Sequence, residues 1–353
     1  MAYIMTKTRS LFGGSLLAAL VIAAPFAPAS AQDNGTVVLA SYGSVWQEAL
    51  EKALKPFEAE NKVKVRFTAG SSADNVARAI AARNRPDVDV VMGEEMTFGQ
   101  GRAEGIFEKL DPAIVKNLAN IVPEANMGGD GVGVIMQAIG FFYRTDVFQK
   151  NGWAPPSSWD DLLDKKFCHR SGWSHPNVSF SYYTLMMLGG GKPDDVMAGA
   201  RKVAAIKDCI DTFDPTAAKT VEKAQLGEFD IGILAHQLVL TLAKRGAPLK
   251  YADPKEGAIL QFSTAAVTKN APNPKMAQAL LNELVSERVQ VQLVEAFNAG
   301  PVNKNVKVPD ELFNAGAPDP TRMTGKNYVA IQTDAILKNR RQYIQDAVRL
   351  FGQ

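Results

Sequence analysis

The alternation of apolar runs, short polar loops and amphipathic stretches across residues 37–97 limits the fold more than any other feature. Val37 to Ala40 is an apolar run bounded by turn formers, which predicts a buried strand. Trp46, Ala49, Leu50, Ala53, Leu54 and Phe57 recur at helical spacing and predict an amphipathic helix over 45–60. Val63, Val65 and Phe67 alternate with Lys64 and Arg66 as a second strand. Ser72 is the expected cap of a helix whose apolar stripe is Val76, Ala77, Ile80 and Ala81. A third strand over 87–92 ends at Gly93-Glu94-Glu95. Successive strand–loop–helix units of this kind give an α/β domain with a largely parallel sheet. In such sheets ligands bind at the carboxyl ends of the strands, where loops meet helix N-termini. Loops 41–46, 70–73 and 93–97 all lie at such ends, so one shared surface is expected.

The first residues read as a leader. Lys7 and Arg9 precede the apolar segment from Leu11 to Ala24, and Ala29-Ser30-Ala31 gives a small-x-small cleavage pattern, so a signal peptide over 1–31 and a mature start at Gln32 are expected. A membrane anchor would need about 18 to 20 unbroken apolar residues, and Gly13, Gly14, Ser15 and the prolines interrupt this one. The whole chain has 39 Lys+Arg against 37 Asp+Glu, and the leader holds two of the basic residues, Lys7 and Arg9, which leaves a balance of zero. That argues against nucleic acid or an anionic membrane as the main partner. A mature chain of this length exceeds one small core and suits two lobes.

Two cysteines, Cys168 and Cys209, suggest a disulfide in an exported chain, with two buried thiols as the alternative. Closing that loop is worth roughly 4 kcal/mol in the chain-entropy view. The histidines, His169, His175 and His236, are scattered, and no tight pair at ligand spacing supports a zinc site.

Further along, Ala138 to Arg144 is an apolar strand, and the crossing into a second lobe is expected near 139–146. The second lobe would hold both cysteines, the aromatic run Phe180-Ser181-Tyr182-Tyr183, helices around 193–207 and 216–226, and a strand over 230–234 that ends at Ala235-His236-Gln237. Residues 258–267 read as a strand returning to the first lobe, followed by helices over 276–284, 289–297 and 328–351. Lobe 1 is therefore expected over 32–140 plus 265–353, and lobe 2 over 141–264.

Several segments, taken in order, carry a resemblance: "VVLASYGSVWQEALEKALKPFEAENKVKVRF", "RPDVDVVMGEE", "GIFEKLDPAIVKNLANIVPEA", "PPSSWDDLLDKKF", "AQLGEFDIGILAHQ" and "DPKEGAILQFSTAAVTKNAPNPKMAQALLNELVS". Together they resemble the periplasmic substrate-binding proteins of ABC importers, in the two-lobed group that includes spermidine/putrescine-binding and ferric-ion-binding proteins. The resemblance implies a type II periplasmic binding protein-like fold, with two α/β lobes, each a mixed and mostly parallel sheet flanked by helices, that close on a solute by a hinge. It also implies a periplasmic monomer that docks on an inner-membrane permease. No phosphate loop of the Gly-x-x-x-x-Gly-Lys type occurs, consistent with an ATPase on another chain.

By that resemblance Tyr42, Ser44 and Trp46 match an aromatic loop around an alkyl-ammonium chain, Ser71 and Ser72 match the second loop, and Glu94 or Glu95 the third. An aromatic face beside a carboxylate suits a cation; packing under a turn and a helix-start acid are the plain alternatives for Trp46 and Glu94. The second lobe departs from the polyamine pattern: Gln261 and Ser263 stand where an aromatic and an acid are expected, and Ala235-His236 replaces an expected Trp. Adjacent tyrosines for Fe(III) are absent at Ala235-His236 as well, which weakens a ferric reading. The remaining cleft candidates are Ser179, Phe180, Tyr182, His236 and, as an apolar wall or as core, Phe262. His175, Asn177 and Ser179 could donate to an anion, or form only a loop that the disulfide steadies. A mixed set, Glu on one lobe and Ser, Tyr and His on the other, suits a small amine-bearing solute, polyamine-like or amino-acid-like and zwitterionic rather than a long diamine, with no cofactor and no metal. A secreted hydrolase is the rival class, but neither a Gly-x-Ser-x-Gly elbow nor His-Glu-x-x-His occurs.

Overall fold

The structure is a computed structural model that describes residues 35–323, 328–331 and 333–352. The expected leader and its cleavage site lie outside the described residues.

The first βα units form as their patterning dictates. Strand β1 (Thr36–Ser41) feeds α1 (Val45–Asn61), which buries Leu50, Ala53, Leu54 and Phe57. Strand β2 (Lys64–Ala69) lies parallel to β1 and leads to α2 (Ser72–Ala81). Ser71 caps α2 where Ser72 is expected to: Ser71 is extended and its Oγ accepts the Asp74 amide at 3.2 Å, while Asp74 returns the bond to the Ser71 amide. Ser72 already lies in the helix, so its hydroxyl points elsewhere. Strand β3 (Val90–Glu94) runs straight into α3 (Glu95–Ala103). It starts later than the apolar run, because the buried Asp89 carboxylate accepts the Val38 amide at 2.8 Å and the Asn273 amide at 2.6 Å.

The middle of the chain opens with β4 (Val132–Arg144), which has 13 residues and is longer than its apolar core suggested. After α4 (Thr145–Asn151) come β5 (Ser171–Ser174), α5 (Ser179–Gly189), α6 (Val196–Ala204), β6 (Phe213–Asp214), α7 (Ala217–Leu226), β7 (Ile231–Ala235), α8 (His236–Lys244) and β8 (Leu249–Ala252). The return strand β9 (Ala258–Val267) is buried at every residue. The chain finishes with α9 (Pro274–Leu284), α10 (Glu287–Phe297), β10 (Gly300–Pro301), α11 (Asp310–Asn314), β11 (Tyr328–Ala330) and α12 (Thr333–Phe351).

Among the described residues, 11 strands share one sheet with the main order β2-β1-β3-β9-β4-β7-β5-β6. Its two ends are parallel, as βα crossovers require. Its centre is antiparallel: β3 pairs with β9, β9 with β4, and β4 with β7. The sheet is thus mixed, because one long strand carries the chain outward and another carries it back. The first half of β4 pairs with β9 and β10, and its second half with β7 and β8.

Separate apolar clusters sit along this sheet. One gathers Leu39, Leu54, Phe57, Met92, Phe262, Leu280 and Leu293. Another gathers Phe141, Trp159, Phe167, Tyr183, Leu185 and Ile231. The last helix, grouped with the first lobe on sequence, contributes Ile336, Ala347 and Phe351 to the second cluster. Ser158 and Trp159 are pinned to the start of β9: Glu256 accepts from the Ser158 hydroxyl at 2.6 Å, and Trp159 Nε1 donates to the Gly257 carbonyl at 3.1 Å. Cys168 and Cys209 form the expected disulfide, with Cα atoms 4.4 Å apart.

Candidate functional site

Polar side chains converge where β3 ends and β9 passes it. In the β3–β9 ladder Glu94 lies opposite Ser263, and in the β4–β9 ladder Gln137 lies opposite Gln261. Strand alternation sends Leu260 and Phe262 into the first core and leaves Gln261 and Ser263 on the other face. Phe262 is therefore a core residue whose contribution here is its backbone: its amide donates to Glu95 Oε2 at 3.0 Å. Tyr42 enters from the loop after β1, close to Glu94 and Ser263. Tyr183 enters from α5, beside Glu95, Glu94 and Gln261. The buried Tyr183 hydroxyl faces Gln261 and the buried Tyr42 hydroxyl faces Ser263, neither in a close hydrogen bond, and Gln261 Nε2 is buried without a partner.

The electrostatics follow from burial. Glu95 is 4% exposed, and burial, reinforced by the neighbouring Glu94 charge, pushes its pKa up to about 8 against the pull of the Phe262 amide. Burial also raises Glu94. Tyr42 is raised by burial and by Glu94, and Tyr183 well raised by burial and then by both glutamates. Among the described residues neither glutamate is ion-paired. Adjacent, desolvated carboxylates surrounded by neutral hydroxyls and an amide can stabilise a cation that brings compensating positive charge.

The other expected site residues have mixed fates. Ser72 is a brace: its Oγ accepts the Glu94 amide at 2.7 Å and meets Thr97 Oγ1, fixing the end of β3. Ser71 and Ser44 are exposed caps, with Ser44 Oγ accepting the Val45 amide at 2.7 Å. Trp46 stacks on Phe297 with centroids 4.0 Å apart and tilts against Tyr42 at 5.1 Å, so it supports the aromatic loop from below. His236 is fully buried: Nδ1 accepts the Ala138 amide at 3.1 Å, which leaves the proton on Nε2 for the Asn298 carbonyl at 2.9 Å. It joins β4 to the end of α10 and has no free ring nitrogen for a solute. Ser179 opens α5, and Tyr182 is buried with an unbonded hydroxyl. The structure thus brings together Tyr42 with both Glu94 and Glu95, sets Ser72 behind them, and adds Tyr183, Gln261 and Ser263. Tyr183 was not separable from Tyr182 by sequence, since both belong to an apolar helix without a polar stripe to give its facing.

Among the described residues no group of three or more His, Cys, Asp and Glu could hold a metal ion, and no helix is long and apolar enough to cross a membrane.

Residues 52–318 match the family of bacterial extracellular solute-binding proteins. The chain is 24% identical over 295 residues to the spermidine/putrescine-binding periplasmic protein of Salmonella typhimurium, covering 80% of this chain and 82% of that one. It is 24% identical over 292 residues to the gamma-aminobutyric acid-binding protein of Pseudomonas aeruginosa, covering 79% and 80%. A solved putative extracellular solute-binding protein from Bordetella parapertussis shares the fold with a TM-score of 0.78 at 21% identity, over 90% of this chain and 98% of that one.

Proposed function

This chain belongs to the bacterial extracellular solute-binding proteins, and we propose that within that family it captures a small amine-bearing solute between two lobes and delivers it to the membrane permease of an ABC importer. The observation that carries the amine is the pair Glu94 and Glu95, desolvated and without an ion-pair partner among the described residues, facing Tyr42, Ser263, Tyr183 and Gln261. The similar proteins named for polyamines and for gamma-aminobutyric acid support the same class. The lobes are residues up to the middle of β4 with the segment after β9, and the stretch between them, with α12 riding on the second. The protein works in the periplasm as a monomer, binds and releases without turnover, and has no nucleic-acid partner. Ser72 positions Glu94, and Trp46 holds up Tyr42.

Isothermal titration against 4-aminobutyrate, putrescine and spermidine, with glucose and ferric citrate as controls, tests this. At least one amine should bind, and Glu94→Gln should weaken it by roughly tenfold or more, as loss of a charged hydrogen bond does. Binding of the sugar or the metal alone would overturn it.

A further inference from the structure

We propose that the N-terminus of α5 and the Arg340 guanidinium form a recognition site for an acidic group, so that the solute is a zwitterion with its carboxylate or phosphonate held there and its amine held by Glu94 and Glu95, a step that rests on the amine cleft proposed above.

The observations are local and independent of the carboxylate pair. Helix α5 follows β5 at the carboxyl end of a parallel strand, and no side chain caps its first turn. Amides at such an end attract anions. Arg340, on α12, is anchored to that turn by Nη2 donating to the Asn177 carbonyl at 2.8 Å. Its Nε is buried and has no hydrogen-bond partner. The Tyr182 hydroxyl, on a side chain 1% exposed, also lacks a partner, while the Tyr183 hydroxyl, on a side chain 0% exposed, faces Gln261. Both stand within electrostatic reach of Arg340. Two buried donors from two helices, Arg340 Nε and the Tyr182 hydroxyl, therefore lie near this helix end without a bonded acceptor, and Tyr183 flanks them from the Gln261 side. Asp194 is the acid nearby; it accepts the Tyr343 hydroxyl at 3.0 Å and is exposed, so it leaves the buried donors uncommitted.

The two ends are linked by Tyr183, whose hydroxyl feels Glu95 and Glu94 as well as Arg340. A solute that touches this tyrosine can reach acid with one end and guanidinium with the other. A diamine would place its second ammonium against Arg340, which disfavours it.

Titration of the full mature protein with 4-aminobutyrate, 2-aminoethylphosphonate and putrescine separates the outcomes. Wild type should prefer a zwitterion, and the comparison of the first two distinguishes carboxylate from phosphonate. Arg340→Met should shift the zwitterion-to-putrescine affinity ratio by roughly tenfold or more toward putrescine, and Arg340→Lys should recover part of it. If Arg340→Met melts early, Tyr182→Phe, which removes one oxygen, should give a smaller shift in the same direction. An unchanged ratio in these variants, or a wild type that takes putrescine and neither zwitterion, overturns the acid site and leaves the amine cleft standing. If none of these amines binds, both fall together.

Discussion

At the residue scale the sharpest consequence concerns Glu95. Its folded pKa, about 8, lies above its ordinary value of 4.5 because burial disfavours the anion. Between those values the folded chain holds a proton that the unfolded chain has released. Stability from this group is therefore highest below about pH 4.5, falls as pH rises toward 8, and levels off above. Glu95→Gln, which imitates the protonated acid, should flatten the decline in Tm between about pH 5 and 8. If the variant keeps the wild-type slope in a thermal melt series, another group is responsible. A cationic solute acts on the same equilibrium in the opposite sense. It favours ionised Glu95, so binding at neutral pH should release protons, seen as a dependence of titration enthalpy on buffer ionisation.

The sequence showed residue types at this scale but not their facing. Glu94 stood out by its match to the third loop of the family, and the structure sets it at the end of β3, opposite Ser263 and near Tyr42. His236 looked like a cleft residue because it follows a strand end, yet its side chain turns inward to satisfy an amide and a carbonyl that only the folded β4 and α10 bring near. Trp46 was ambiguous because its stacking partner, Phe297, is remote in sequence. Ser71 and Ser72 differ by a single backbone conformation, which composition does not encode.

At the scale of elements, the position of α5 decides whether Tyr182 and Tyr183 serve the cleft at all. Helix α5 lies against α6 with Gly199 directly under the Leu185 carbonyl, so that a Cβ there would collide with backbone. Backbone cannot rotate away as a long side chain can, so the helices must separate. Gly199→Ala should lower the unfolding free energy by roughly 1–3 kcal/mol in urea titrations, the range for overpacking. It should also weaken solute affinity by displacing α5. A variant with an unchanged midpoint would mean that the crossing has slack. The strands and helices of the first βα units were legible from periodicity, since each has one buried face. The antiparallel centre of the sheet was not, because β4 and β9 are buried on both faces and their sequences carry no sign of direction. Helix α12 was legible as a helix, but its place was not: only three of its residues, Ile336, Ala347 and Phe351, are buried.

At the scale of the whole molecule, the proposed lobes are joined through β4 and β9, whose partners change along their length. Strands can twist there without losing either core, since the two large clusters draw on different residues. Helix α12 adds a contact that such a motion must respect. Thr333 and Leu337 fill the notch left by Gly99 on α3, and Asp334 lies 3.6 Å from Arg102. In the proposed closure, rotation of the second lobe would separate this seam, so its packing would weigh toward the closed form before any solute arrives. Apparent affinity scales with the fraction of chains already competent to bind. Truncating the seam by Leu337→Ala removes packing worth on the order of 1 kcal/mol from a half-buried side chain, which corresponds to roughly fivefold in the closed-to-open ratio and at most that in the competent fraction. The variant should bind 4-aminobutyrate more weakly by up to that factor, and small-angle scattering should show a larger radius of gyration without solute and a larger drop on binding than in the wild type. Saturating solute at about 100 times Kd should still stabilise both proteins by about 2.7 kcal/mol, because that gain depends only on ligand excess over each protein's own Kd. A variant whose free and bound scattering curves match those of the wild type would show that α12 moves with α3, and that the hinge lies elsewhere than in the middle of β4 and β9.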